Sequence, residues 1–256
     1  MMHQKQPIAK LILLLVASSI FANAQTKEEL FKRGLECKKE NNINEALSCF
    51  QQLLKSDSTN IEFLTYSSMF YSKKGNEFSD KKTRQAYFNT GLYLAKKALA
   101  LDASFADSHY CMALALGRIN EFTDTQTKIA NSKEIKRYID ETLKLNPAHA
   151  GAYHILGRWN RTIANFGNVE RMMINSLYGG VPKGATLQGA IDAFIKAVAF
   201  EPEFKLHQYE LAQTYLDIGK KINAKVWFQK ALKIKSNNQS DLLINEKCLK
   251  ALEALK

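Results

Sequence analysis

Residues 205–238 run KLHQYELAQTYLDIGKKINAKVWFQKALKIKSNN, and this stretch decides the fold class of the chain. Bulky and small residues recur in it at the spacing of two amphipathic helices joined by a turn. These residues are Leu211, Ala212, Tyr215, Gly219, Ala224, Phe228 and Ala231. Residues 27–60 repeat the pattern, with Gly34 and Phe50 in the frame and Arg33 at a position where the pattern prefers leucine. Both stretches are 34 residues long, so the chain is predicted to contain repeated helix pairs.

That period is typical of tetratricopeptide repeats, which stack into a helical solenoid. Helix-ending markers divide the chain into five units, 27–60, 61–105, 106–149, 150–204 and 205–238. The three middle units are 11, 10 and 21 residues longer than 34. We therefore predict an all-α, tetratricopeptide-like α-solenoid of about five helix-turn-helix units. Residues 169–178 are predicted to add a short helix that plugs one side of the solenoid, and residues 241–255 to form a C-terminal capping helix.

The N-terminus has the pattern of an export signal. Lys5 and Lys10 precede an apolar run over residues 11–22, and Ala22-Asn23-Ala24 offers the small residues that signal peptidase requires. We expect residues 1–24 to be cleaved and residues 25–256 to form the repeat domain, which is then periplasmic or secreted. A retained membrane anchor is the alternative, although a run of about 12 apolar residues is shorter than the roughly 20 that span a bilayer.

The charge of the chain limits its classes of partner, and its cysteines bear on the packing of its core. The net charge is +11, and removal of two lysines with the signal leaves +9. A basic exported protein favours anionic surfaces, acidic peptides or polyanions as partners, unless the charge only solvates helix faces. Lysines crowd the last repeat at positions 220, 221, 225, 230, 233 and 235, where a solvated convex face is the default expectation and a membrane or nucleic-acid patch the alternative. Nucleic acid is not an expected partner, because Trp227 and Phe228 follow repeat positions rather than forming a stacking platform. The four cysteines are expected to be buried thiols, with one bridged pair as the alternative.

A binding groove is predicted from the residues of each first helix that face the concave side of such an array. The apolar and aromatic ones are Phe31, Leu35, Met69, Tyr110, Leu114 and Tyr209, and the cationic ones are Arg118, His154, Arg158 and Arg161. His154, Arg158 and Arg161 lie at i, i+4 and i+7 on one helix face, where guanidinium groups suit carboxylate or phosphate oxygens. The alternative is that Arg158 pairs with Glu170 or Glu201, which would make the cluster structural.

No catalytic group, metal site or cofactor site is predicted. His109 and Cys111 are two residues apart on a helix and point in different directions. The cysteines lack the C-x2-C spacing of metal sites, and His149 and His154 at i, i+5 do not share a helix face. Residues 179–184, GGVPKG, lack the G-K-[ST] ending of a phosphate-binding loop. A non-enzymatic binding protein is therefore the expected class.

Several stretches form a recognisable pattern, of which the strongest block is HILGRW at residues 154–159, continued across the insertion by Pro182, Phe194 and Pro202. Together these stretches resemble the regulator of microtubule dynamics family, a divergent tetratricopeptide group. The resemblance covers roughly residues 66–255, and the long fourth unit is its specific part. The resemblance implies a non-enzymatic helical domain, with family associations to microtubules and membrane contact sites. The predicted export signal departs from the family's cytosolic or cytosol-facing members and argues against microtubules as the partner.

The sequence thus predicts an exported scaffold whose concave groove holds a protein segment of acidic or C-terminal carboxylate character. A carrier of an anionic lipid or other amphiphile is the alternative. In that case His154, Arg158 and Arg161 would meet the head group, while the apolar groove and the methionine-rich insert would hold the acyl chain. An enzyme is the least favoured class.

Overall fold

The structure, a computed structural model, describes residues 26–256. In this range it contains twelve α-helices, two short 3-10 turns and no β-strand. The helices are α1 (Lys27–Lys39), α2 (Ile43–Ser56), α3 (Ile61–Lys74), α4 (Lys81–Leu101), α5 (Ala106–Ile119), α6 (Thr125–Leu145), α7 (Ala150–Ala164), α8 (Asn168–Leu177), α9 (Leu187–Phe200), α10 (Lys205–Asp217), α11 (Lys221–Lys233) and α12 (Gln239–Glu253). The predicted signal peptide, residues 1–24, lies outside the described residues.

The helices pair into the five predicted units and stack in two layers. The first helices α3, α5, α7 and α10 pack on one another along the inner, concave side. The second helices α4, α6, α9 and α11 each pack on the first helix of their own unit and form the outer layer. Helix α12 closes the last unit by packing on α10 and α11. The prediction of a tetratricopeptide-like α-solenoid with a C-terminal capping helix is confirmed.

One packing contact recurs inside the units and explains how the insertion is tolerated. A Cβ on Gly34 would lie 2.9 Å from the Phe50 ring, and a Cβ on Gly157 would lie 2.7 Å from the Phe194 ring. The first pair is 16 residues apart and the second 37, a difference equal to the 21 extra residues of the fourth unit. Both rings are fully buried. The insertion therefore lies between two helices that still pack as in the undistorted repeat.

Polar side chains fix where the helices begin. Asp80 accepts a hydrogen bond from the backbone N–H of Thr83 at the start of α4, and Thr186 accepts one from Gly189 at the start of α9. Such a cap stabilises a helix by about 1 kcal/mol because it satisfies a backbone donor that has no partner within the helix. At the turn between α10 and α11, Gly219 has a φ of +73°, a conformation that favours glycine.

The predicted helix in the insertion forms as α8, but it does not plug the solenoid. Only Ile174 of this helix is buried, while Val169, Met172 and Leu177 are 76%, 66% and 65% exposed. The guanidinium of Arg171 donates to the carbonyl oxygens of Phe166 and Ile163 and so fastens α8 to the end of α7. The plugging role is therefore wrong, because the apolar stripe of α8 faces away from the array.

The two ends of the solenoid meet. Asn238 Nδ2, at the start of α12, donates to the carbonyl oxygen of Asn41 in the turn between α1 and α2 over 3.3 Å. A cleft of about 1050 Å³ lies beside this contact and is lined by residues of the first two units and of the last repeat and α12, including Lys39, Asn76 and Lys235. The first and last units of the described residues are therefore in direct contact at this point.

The buried core of the described residues contains all four cysteines and Trp159. The four cysteines are buried and unbridged, as predicted, and each of them lies in a helix. Trp159 is buried and donates its indole N–H to the carbonyl oxygen of Ser132, so it holds α7 against α6.

Among residues 26–256, none of the helices combines the length and apolar character needed to cross a membrane.

Candidate binding groove

Two cationic side chains occupy equivalent positions on neighbouring inner helices. Counting from the first residue of each unit, Lys73 on α3 and Arg118 on α5 are both at position 13. Arg118 was predicted from the sequence and Lys73 was not, although the same repeat frame contained the signal. No carboxylate of the described residues forms an ion pair with either group.

Lys73 reaches across the concave side. Its Nζ lies 5.6 Å from the ring centroid of Phe204, in the turn before α10, and 5.5 Å from that of Phe70. The surrounding protein removes water from the ammonium group and Lys38 adds repulsion, which the charge of Glu201 offsets only in part, so the pKa of Lys73 is lowered to about 8. The group therefore stays mostly charged at pH 7 in a poorly solvated place. A negative partner there would relieve that cost.

Arg118 is also a poorly solvated cation. Its Nε is buried and has no hydrogen-bond partner among the described residues. Desolvation and the nearby charge of Arg158 lower the pKa of Arg118 to about 10, so the guanidinium remains charged at neutral pH. A planar guanidinium with an unused N–H suits the two oxygens of a carboxylate. Arg118 and Lys73 together make this part of the groove receptive to an anion.

Tyr110 lies between the third and fourth units. Its ring centroid is 4.4 Å from that of His149, and a Cβ on Gly151 would lie 2.8 Å from the phenolic oxygen. Glycine at position 151 therefore leaves the room that the phenol occupies. Burial raises the pKa of Tyr110, so the hydroxyl stays protonated and able to donate a hydrogen bond. Its predicted place in the groove wall fits this geometry, while its part in binding stays a prediction.

His154 does not supply the predicted positive charge. The side chain is buried, and its Nδ1 lies 2.9 Å from Nδ1 of His207 on α10, so one ring donates to the other. His207 Nε2 in turn lies 3.4 Å from a carboxylate oxygen of Glu201. Burial, together with the neighbouring His207 and Arg158, holds the pKa of His154 well below its usual range. The pair is therefore neutral at pH 7 and joins α7 to α10.

The arginines of α7 are largely committed to acids of α10. Arg161 Nε lies 2.5 Å from a carboxylate oxygen of Asp217, and Nη1 lies 3.0 Å from Glu210. Arg158 is about half exposed, with its Nε 3.9 Å from Glu210. The acids suggested from the sequence, Glu170 and Glu201, are not its partners. Arg161 thus acts first as an inter-unit tie, and a shallow pocket of about 180 Å³ remains beside Arg158 and Arg161.

The predicted apolar wall is only partly available. Met69 is buried in the core, so the prediction that it offers groove surface is wrong. Phe31, Leu35 and Leu114 are half-buried and pack against the same core. Tyr209 is half-buried on α10, with its ring centroid 6.0 Å from that of Phe228. These side chains contribute partial surfaces to the concave side rather than an open apolar trough.

The lowered pKa values of His154 and His207 make the stability of the fold depend on pH. Burial lowers the pKa of His154 and of His207 in the folded state, so below about pH 6.5 the unfolded chain takes up protons that the folded chain refuses. We expect the free energy of unfolding to fall as the pH drops from 6.5 to 5, by at most about 1.4 kcal/mol per pH unit for each histidine.

Urea denaturation at a series of pH values measures this dependence. The variant His207→Asn keeps a polar group near Nδ1 but removes one titrating ring, so its stability should fall less steeply over the same range. An unchanged slope would show that the pair does not titrate as described.

Comparison with known proteins assigns the sequence of this chain to a family. The profile of the family described as regulator of microtubule dynamics protein 1-3 matches residues 25–256. The chain belongs to the regulator of microtubule dynamics family. The resemblance seen in the sequence is thereby confirmed, and the match includes the long fourth unit that carries α8.

Curated members of the regulator of microtubule dynamics family are distant and longer. Regulator of microtubule dynamics protein 3 of Xenopus laevis is 29% identical over 181 residues, which is 70% of this chain and 39% of the relative. Regulator of microtubule dynamics protein 1 of Homo sapiens is 28% identical over 162 residues, 63% of this chain and 51% of the relative. The chain thus spans about two fifths to one half of the relatives that it matches.

A solved structure supports the fold alone. A thermophilic tetratricopeptide-repeat protein of Thermus thermophilus superimposes with a TM-score of 0.62 at 17% identity, covering 89% of this chain and all of the other. The likeness confirms the repeat architecture. At this level of identity the likeness assigns no ligand to this chain.

Proposed function

We propose that this protein is a non-enzymatic scaffold whose concave groove holds an acidic segment of a partner protein. The observation that carries the proposal is the pair of poorly solvated cations, Lys73 and Arg118, on adjacent inner helices without an ion-pair partner in residues 26–256. A desolvated cation without an ion-pair partner is costly, so a ligand carboxylate at this place would stabilise the charged form.

The placement of these cations on successive units supports an extended segment rather than a compact ligand. Lys73 and Arg118 belong to successive units, and Tyr110 and the exposed side of Arg158 continue the same concave side toward the fourth unit. Repeat arrays hold extended chains along such a surface because each unit adds a similar contact. The acidic side chains of one segment would meet these groups in turn.

Peptide binding tests the proposal. We expect a fluorescent 12-residue peptide rich in Asp and Glu to bind residues 25–256 in an anisotropy titration, with affinity that falls as salt rises. Peptides of the same length that are neutral or lysine-rich serve as controls and should not bind. Equal affinity for all three peptides would contradict an acidic ligand.

The choice between a protein segment and an amphiphile is tested on protein from its own host. Native mass spectrometry of the purified protein should show no bound lipid if the groove serves a protein segment. A stoichiometric acyl-chain ligand that is displaced when Lys73 and Arg118 are replaced would instead support the carrier alternative.

We also propose that the protein meets its partner outside the cytosol. The export signal predicted for residues 1–24 supports a periplasmic or secreted location, outside the compartment of cytosolic microtubules. Determining the first residue of protein purified from its host tests this, and Gln25 is the expected N-terminus. A chain that retains residues 1–24 would show that the segment remains as an anchor.

A further inference from the structure

The outer face of α11 carries charge that the groove does not use. From residue 218 to residue 240 the chain contains six lysines and no acidic residue. All six are exposed, and none forms an ion pair with a carboxylate of the described residues. They are Lys220, Lys221, Lys225, Lys230, Lys233 and Lys235. We call this surface, with the residues between them, the α11 basic face.

The acids nearest in sequence do not neutralise this face. Asp217, just before it, is held by Arg161 and by Asn165 Nδ2. Asp241, just after it, is buried and accepts hydrogen bonds from Asn237 and Asn238. The exposed glutamates of α12 lie on its side opposite the buried Ile244, by helical periodicity. The positive potential of the face is therefore uncompensated by the elements packed against it.

Apolar side chains stand between the lysines. Ile222 is 82% exposed and Val226 is 43% exposed, and at i, i+4 they lie next to each other on the helix. Helical periodicity places Lys221 and Lys225 on one side of this pair and Lys230 on the other. The buried side of α11 is formed by Ala224, Phe228 and Ala231, so the isoleucine and valine are not needed for its packing.

This arrangement distinguishes among possible partners. A single helix face on the outer layer offers no trough for a peptide chain, and Trp227 is covered by the Lys230 ammonium 3.9 Å from its ring centroid rather than open for base stacking. Aliphatic side chains flanked by lysines suit the interface of a bilayer, where the apolar groups enter the headgroup region and the ammonium groups meet lipid phosphates.

We propose that the α11 basic face docks this protein on an anionic membrane surface, with Ile222 and Val226 entering the headgroup layer between lysines 221, 225, 230 and 233. The inference stands apart from the groove, which lies on the inner helices. Docking through α11 would leave the concave side free for its ligand.

Vesicle co-sedimentation of residues 25–256 tests this docking. We expect binding to vesicles of 70% phosphatidylcholine and 30% phosphatidylglycerol at low salt, release at about 0.5 M NaCl, and no binding to pure phosphatidylcholine. Each lysine near such a surface is worth about fivefold in partitioning, so K221E/K225E/K233E should lower it by on the order of 100-fold. Ile222→Ser should lower it severalfold without changing stability, because the side chain is exposed.

A matched control separates this face from general charge. K82E/K96E/K128E makes the same change in net charge at exposed lysines of α4 and α6 that form no ion pair within residues 26–256, and should lower partitioning less than about threefold. Replacement of Lys73 and Arg118 by Met should leave vesicle binding unchanged. Equal losses in the two triple variants, loss in the groove variant, or no binding by the unmodified protein would each overturn the proposal.

Discussion

Phe194→Ala is expected to lower the free energy of unfolding by about 3–5 kcal/mol, the range for removing a fully buried phenylalanine. The Phe194 ring is completely buried, fills the space left by Gly157 on α7, and lies 5.6 Å from the His154 ring between centroids. Its loss leaves a cavity under the groove where α7, α9 and α10 meet. The packing of the inserted fourth unit depends on this ring more than on any contact of α8.

Phe200→Ala is a matched control because it removes the same side chain from the same helix. Phe200 is 47% exposed and stacks only at 5.9 Å on Tyr153, so we expect a loss of about 1 kcal/mol. Urea denaturation followed by circular dichroism measures both variants, with a common slope as the check for two-state unfolding. Losses of similar size in the two variants would contradict the assigned packing.

Lys73→Glu combined with Arg118→Glu is expected to weaken the binding of an acidic peptide by more than about 100-fold. Removing one partner of a desolvated charge pair costs about 2–5 kcal/mol, and reversal adds repulsion of the ligand carboxylates. Lys73→Met alone should weaken binding by roughly 10-fold or more, since it removes one of the two cations without introducing a negative charge. The anisotropy titration with the acidic peptide measures all three proteins.

The control reverses two cations outside the groove. Lys82→Glu with Lys128→Glu changes the net charge by the same amount at exposed positions on α4 and α6. Long-range attraction alone would weaken both double variants alike, and salt would abolish the difference between them. A strong loss confined to Lys73 and Arg118 is the expected result, and an equal loss would show that binding is not located in the groove. Circular dichroism confirms that each variant remains folded.

Local sequence patterns predicted the architecture well because each unit is built from short-range signals. The caps Asp80 and Thr186 mark helix starts, and the small residue opposite a buried ring recurs at a fixed spacing once the insertion is subtracted. The existence of α8 followed from its apolar spacing. Its exposure did not, because the pattern of one helix shows that it is amphipathic but not which neighbour, if any, covers the apolar stripe.

The groove chemistry was harder to predict because its partners come from distant units. The acids that hold Arg161 lie 49 and 56 residues further along the chain, and His207 lies 53 residues from His154. Whether residues so far apart in sequence come into contact depends on how the units curl. The repeat positions alone do not determine that curvature. Lys73 is the exception, since it shares position 13 with Arg118 and was visible in the repeat frame.

Titration of Lys73 by NMR, with its side-chain nitrogen labelled, tests most directly whether the groove is an anion site. Without ligand we expect a pKa of about 8, because the ammonium group lies in a desolvated groove without an ion-pair partner among the described residues. With the acidic peptide bound, the pKa should rise, since a carboxylate stabilises the charged form. A pKa near the ordinary value of about 10.4 that does not change when the peptide is added would contradict the assignment.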